Sequence, residues 1–110
     1  MTEEEAFKLL MECSARDNRQ VSRPHAVVWA EDLHDIPFQD AREAARAHYR
    51  EKPGVWLLPG HIIAGAKAIR RERQRRERNL AARLGIPYLE MSAAEIHAAL
   101  AERGMLEAAK

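Results

Sequence analysis

The chain has 110 residues, a hydrophobic fraction of 46% and a net charge of +1, which points to one small domain with at most an appended segment. A single cysteine excludes an intrachain disulfide and fits a reducing cytoplasm. No stretch approaches the roughly 20 apolar residues of a membrane span, and the acidic start is unlike a secretory signal peptide. Scattered β-branched residues favour helices over sheets. We therefore expect a cytoplasmic, all-α protein.

Capping signals predict the first two helices. Thr2 and Glu5 have the spacing of a capping box, and the apolar face that follows includes Cys13 as a core residue. Ser22 is the expected N-cap of the second helix, and Trp29 lies on its periodic apolar side. Both helices are expected to pack these faces into one core.

The third helix is predicted over the stretch FQDAREAARAHYRE, which is followed by a proline and a glycine. We expect its His48 to be a packing residue whose ring nitrogen has a hydrogen-bond partner. The next segment, VWLLPG, is predicted to be a packed loop over the bundle. Trp56 in this loop is either a lid over the core or an exposed anchor for a partner.

The fourth helix is predicted to begin near Pro59 and to reach Leu84. Residues 60–84 carry a net charge of +6, whereas residues 1–59 carry −3. At 100° per residue, the apolar face of this helix is interrupted at Arg73, Arg76 and Glu77 and resumes at Leu80 and Leu84. Because an unpaired buried arginine is costly, we expect this part to project into water. The arginines predicted to contact a partner or nucleic acid are Arg70, Arg71, Arg73, Arg75, Arg76 and Arg78.

Three interpretations of this basic stretch remain open at this point. It could be a solvated connecting helix, since Glu72 and Arg76 form a favourable i,i+4 pair. It could neutralise several phosphates of a nucleic acid, although no helix-turn-helix is evident and no aromatic residues alternate with the arginines. It could also be a docking arm for a protein.

The C-terminal part is predicted to form a helical hairpin with the end of the fourth helix. Ser92 and Glu95 make a second capping box, Gly104 ends the helix, and the tail MLEAAK is not expected to be rigid. The predicted divisions are a helical bundle over 1–69, a projecting basic helix over 70–84 and a C-terminal helical segment over 85–110. An apolar docking surface, covered by this segment or by another chain, is predicted at Leu80, Leu84, Ile96 and Leu100.

The sequence contains no phosphate-binding loop of the G-x-x-x-x-G-K-[ST] type and no nucleophile elbow. Its five histidines show no paired metal-ligand spacing, and no second cysteine assists them. We therefore expect a protein that is not an enzyme and that uses neither a cofactor nor a metal.

One pattern in the chain resembles a known family. From Trp29 to Tyr49 it reads Trp-x3-Leu-x2-Ile-x-Phe-x-Asp-Ala-x3-Ala-x2-His-Tyr, and Pro59 then opens the basic helix. This resembles the replicative-helicase loader/inhibitor family of phages and their Gram-positive hosts, in an actinobacterial or actinophage version. The resemblance covers roughly residues 3–70 and rests mostly on packing residues.

The predicted elements make up a three- to four-helix bundle, an extended basic helix and a C-terminal helical hairpin. The resemblance implies a small helical adaptor without ATPase activity. Members of this family bind the hexameric replicative helicase, load or inhibit it, and help deliver it to a phage origin with an initiator protein. Their C-terminal part is mobile, and the capped helix predicted within 85–110 departs from that. Two alternatives are kept: a small DNA-binding protein or regulator that uses the arginines, and a homodimer formed through the fourth helix.

Overall fold

The computed structural model describes residues 1–105, which form five α-helices, one short 3-10 helix and no strand. The all-α prediction is confirmed. Most of the tail that was predicted not to be rigid lies outside the described residues. The elements in chain order are α1 (Glu3–Asp17), α2 (Arg23–Asp32), α3 (Phe38–Glu51), α4 (Pro59–Arg83), the 3-10 helix (Tyr88–Glu90) and α5 (Ala93–Glu102).

Both predicted capping boxes are present. In α1 the Thr2 hydroxyl accepts a hydrogen bond from the Glu5 amide at 3.2 Å, and the Glu5 carboxylate accepts one from the Thr2 amide at 2.9 Å. Ser92 and Glu95 make the same reciprocal pair at the start of α5. Each box satisfies amides at the helix start that have no intrahelical partner.

The chain divides into two compact units. The first is Met1–Ile69, which ends at the residue where the sequence placed the end of the bundle. The second begins at Arg70, so the predicted division between residues 84 and 85 lies inside it. The two predicted C-terminal segments therefore belong to one unit.

The core of the first unit is built from α1, α2, α3 and the start of α4. Cys13, Trp29 and Leu57 are all buried in it, as expected for the first two. A 2.7 Å ion pair between Glu12 and Arg42 also links α1 to α3. The other large buried side chains of this core are Leu9, Leu10, Leu33, Ile36 and Ile62.

The second unit has its own small core. Ala81 of α4 is buried together with Ile86, Ile96 and Leu100, and Leu80, Leu84 and Tyr88 pack against this group. The turn between the helices requires Gly85, whose φ of 71° lies in the left-handed region that side chains with a Cβ avoid. The predicted C-terminal hairpin is therefore present.

Candidate interaction surfaces

The basic stretch of α4 is the first candidate surface. All six arginines from Arg70 to Arg78 are exposed. Arginine is a strong helix former and the stretch has no β-branched residue, so the helix continues through it without a break. The result is a dense array of guanidinium groups in water.

The six guanidinium groups are not equivalent by position. Arg71, Arg75 and Arg78 follow one another at steps of four and three residues, which places them along one side of α4 over about 10 Å. Glu77 and Ala81 lie on the buried side of the same helix. A partner can therefore approach the three arginines without disturbing the core of the second unit.

One carboxylate offsets part of this charge. Glu72 accepts hydrogen bonds from Arg75 at 2.6 Å and from Arg76 at 3.2 Å. The hydrogen bond from Arg75 is the main reason that the pKa of Glu72 lies below its usual value, and in return the pKa of Arg75 is raised. Because all three side chains are exposed, these pairs orient the guanidinium groups more than they stabilise the fold.

The expectation that the middle of α4 projects fully into water is wrong at Glu77. This residue is only 7% exposed, and its carboxylate accepts a 2.8 Å hydrogen bond from Nδ1 of His97 on α5. A buried carboxylate needs such a partner, so this contact belongs to the packing of the second unit.

The predicted apolar docking surface is also corrected. Ile96 and Leu100 are buried, and Leu80 and Leu84 are half-buried against the same core. The sequence left open whether the C-terminal segment or a second chain covers these residues. In the structure the C-terminal hairpin covers them. Ile96 and Leu100 are therefore core residues and are not available for docking.

The second candidate surface is the loop between α3 and α4, residues 52–58. The prediction of a packed loop holds for Leu57, which is buried, but it is wrong for the neighbouring residues. Trp56 is 56% exposed, Leu58 is 54% exposed, and Val55 is exposed as well. The exposure of Trp56 leaves both predicted roles open, a lid over the core and an anchor for a partner.

Three side chains hold the backbone of this loop. Nε2 of His48 donates a hydrogen bond to the Val55 carbonyl at 2.7 Å, and Nδ1 of His61 accepts one from the Leu58 amide at 2.9 Å. The two imidazole rings stack with centroids 4.6 Å apart. These contacts give the His48 ring nitrogen the expected partner and hold the loop against both helices that it joins.

Arg19 provides the third contact with the loop. It is only 8% exposed, and its Nη2 donates to the Leu57 carbonyl at 2.8 Å. Its Nε and Nη2 also donate to the Asp17 carboxylate, at distances down to 2.6 Å. The guanidinium carbon lies 5.4 Å from the ring centre of Trp29 and 5.0 Å from that of Trp56, which are cation–π distances.

The polar groups around Arg19 have perturbed pKa values. Burial alone raises the pKa of the Asp17 carboxyl, but hydrogen bonds from Arg19 and from the Tyr49 hydroxyl outweigh it and hold this pKa below its usual value. Burial raises the pKa of the Tyr49 hydroxyl and the pKa of the Cys13 thiol, which favours the protonated form of both. These groups form a structural network in which Asp17 carries the negative charge.

The burial of Arg19 could hardly be predicted from the sequence. It lies where the apolar pattern of α1 fades, in the polar run RDNRQ, and its carbonyl partner is 38 residues away. The only local hint was Asp17 two residues earlier, whose carboxylate also accepts from the Arg19 amide at 3.1 Å.

Among residues 1–105 no three histidine, cysteine, aspartate or glutamate side chains lie close enough together to hold a metal ion. Within the same range, no helix has the length and apolar character to cross a membrane.

Comparison with known proteins gives no relative: no family model, curated protein or solved structure matches this chain. The resemblance to helicase loaders and inhibitors therefore stays a prediction. The case for a function depends on the two surfaces and on that resemblance.

Proposed function

We propose that the protein is a non-enzymatic adaptor that docks through the α4 arginines on an acidic surface of a hexameric replicative helicase, in phage-type DNA replication. The observation that carries the proposal is the exposure of all six arginines on one continuous helix. The choice of a helicase as the partner rests on the resemblance over residues 3–70. The choice of an acidic surface rests on the positive charge of the helix.

Arginine is suited to this task because its planar guanidinium makes paired hydrogen bonds to carboxylates. Arg71, Arg75 and Arg78 present three such groups from one side of α4. Charge complementarity of this kind accelerates association and selects the partner, and it weakens as salt is added. Loading and inhibition of the helicase would use the same contact.

The experiment is co-elution with an actinobacterial replicative helicase, with and without ATP, at about 0.15 M salt. The test variant carries Arg71→Glu, Arg75→Glu and Arg78→Glu. The matched control carries Lys8→Glu, Arg23→Glu and Arg46→Glu, which change the net charge equally at exposed positions of the first unit. We expect co-elution for the control and none for the test variant.

A helicase that fails to bind the unaltered protein in every nucleotide state would overturn the proposal. Equal loss of binding in both variants would mean that net charge, and not the α4 surface, governs the association.

DNA binding is the second candidate function, and the same side of α4 favours it. Three arginines within about 10 Å can contact neighbouring phosphates of one backbone. Binding of this kind should weaken steeply with salt, with a slope of log K against log salt near −3 if three phosphates are neutralised. Tight DNA binding with that slope, lost in the test variant, would favour this function if the helicase does not bind.

A further inference from the structure

The loop of residues 52–58 has features that the proposed function does not use. Val55, Trp56 and Leu58 are all exposed, although they lie within four residues of one another beside a well-packed core. Large exposed apolar side chains that cluster in this way mark interaction sites more often than scattered ones do. Tryptophan in particular is enriched among the residues that dominate binding energy.

The backbone that carries these side chains is fixed before any partner arrives. His48 binds the Val55 carbonyl, Arg19 binds the Leu57 carbonyl and His61 binds the Leu58 amide. The Val55 amide also donates to the Lys52 carbonyl at 3.0 Å, which closes a turn at the loop's start. A partner would therefore lose little conformational entropy by ordering this loop.

The charges around the loop differ from those of the rest of the first unit. Residues 1–59 have a net charge of −3, but the exposed residues next to the loop are mostly basic. Arg50 and Lys52 directly precede it, and the Arg16 guanidinium lies over the ring of Tyr49, 5.5 Å from its centre. Glu51, which lies between them in the sequence, is exposed and acidic, whereas Asp17 is paired with Arg19.

We infer that this loop is a second docking surface, separate from α4, and that its occupant is an acidic amphipathic helix of a partner protein. Trp56, Val55 and Leu58 contact the apolar side of that helix, and Arg16, Arg50 and Lys52 face the carboxylates beside it. Arg19 is a positioning residue, because it holds Trp56 and the Leu57 carbonyl and is itself buried.

The test is a selection of displayed helical peptides of random sequence on the full-length protein. Parallel selections use Trp56→Ala, Leu58→Ser and the control Val28→Ser, which removes an apolar side chain of nearly equal exposure, 51%, from α2. We expect the enriched peptides to combine apolar residues at i, i+3, i+4 and i+7 with a net negative charge.

The best peptide should bind the control as well as it binds the unaltered protein and should bind Trp56→Ala at least about tenfold more weakly. Binding is followed by the fluorescence anisotropy of a dye-labelled peptide, because Trp56→Ala lacks the exposed tryptophan that would otherwise report it. Unchanged thermal unfolding of Leu58→Ser would show that its loss of binding is not a loss of fold.

Four results would overturn the inference. The first is that no peptide is enriched, and the second is that the enriched peptides are basic or neutral. The third is that Trp56→Ala binds the best peptide as tightly as the unaltered protein does. The fourth is evidence that the loop binds a different kind of partner. The last would appear as a Trp56-dependent response to oligothymidylate in place of peptide, or as a Trp56-dependent dimer in light scattering. The charge-reversed α4 variant should keep peptide binding, so this inference and the proposed function can fail separately.

Discussion

Arg19 donates a 2.8 Å hydrogen bond to the carbonyl of Leu57, which lies 38 residues later in the chain. This contact joins the end of α1 to the loop before α4, and it lies beside the ion pair of Arg19 with Asp17. One buried guanidinium thus satisfies a backbone carbonyl and a carboxylate, and it also contacts two tryptophan rings. The candidate docking loop depends on a residue outside it.

Replacing Arg19 with alanine should strongly destabilise the first unit. The change leaves the Asp17 carboxylate and the Leu57 carbonyl without their main partner in a site with little access to water, and such a loss costs about 3 kcal/mol. Urea unfolding of the variant measures it. The control is Arg23→Ala, whose contact with Glu3 is 4.0 Å long and exposed, and it should cost less than about 0.5 kcal/mol. Equal costs would contradict the structural role of Arg19.

Stability should fall in acid partly because of Asp17. Its pKa is lower in the folded protein than in the unfolded chain, where a typical aspartate titrates near 3.9. The stability that Asp17 contributes is therefore present above about pH 4 and is lost as the pH falls through the lower, folded pKa. Urea midpoints measured from pH 7 to pH 2.5 should drop less steeply in Asp17→Asn, which already lacks this contribution. Asp32→Asn, at an exposed position of α2, should leave the steepness unchanged.

Two glycines of α4 should respond oppositely to the same substitution. A Cβ added at Gly65 would lie 2.8 Å from the Cβ of Ala44, so α3 and α4 would have to separate. Gly65→Ala should therefore cost about 1–2 kcal/mol despite its better helix propensity. Gly60 has open space around it, and Gly60→Ala should stabilise the protein by about 0.5 kcal/mol. Thermal unfolding of both variants shows whether each substitution raises or lowers the stability. A Gly65→Ala variant that is more stable than the unaltered protein would contradict the close approach of α3 and α4.

In the second unit, His97 should contribute more to the stability of α5 than its exposed position indicates. Its Nδ1 is the hydrogen-bond partner of the buried Glu77 carboxylate. His97→Ala leaves that carboxylate without this partner and should lower the local opening free energy of α5 by about 1–2 kcal/mol. Hydrogen exchange of the α5 amides measures this quantity. Glu102→Gln, an exposed change on the same helix, should leave the exchange unaltered.

The helices were largely predictable because their signals are local. The stretch predicted for α3 matches its observed bounds, Phe38–Glu51, and the caps at Thr2, Ser22 and Ser92 were all found where the spacing placed them. A capping box needs only residues three positions apart. The exposure of the six arginines could also be expected, since only Glu72 and Glu77 lie among them in the sequence and burying a guanidinium is costly.

The sequence by itself therefore determined the helical class, the ends of the helices and the position of the basic surface. Only the tertiary structure decided that Ile96 and Leu100 are core, that Glu77 is buried against His97, and that Arg19 lies under an exposed Trp56. The physical reason is distance along the chain. Caps and periodic faces arise within a few residues, whereas the burial of one charge or the exposure of one tryptophan depends on which remote segment packs beside it.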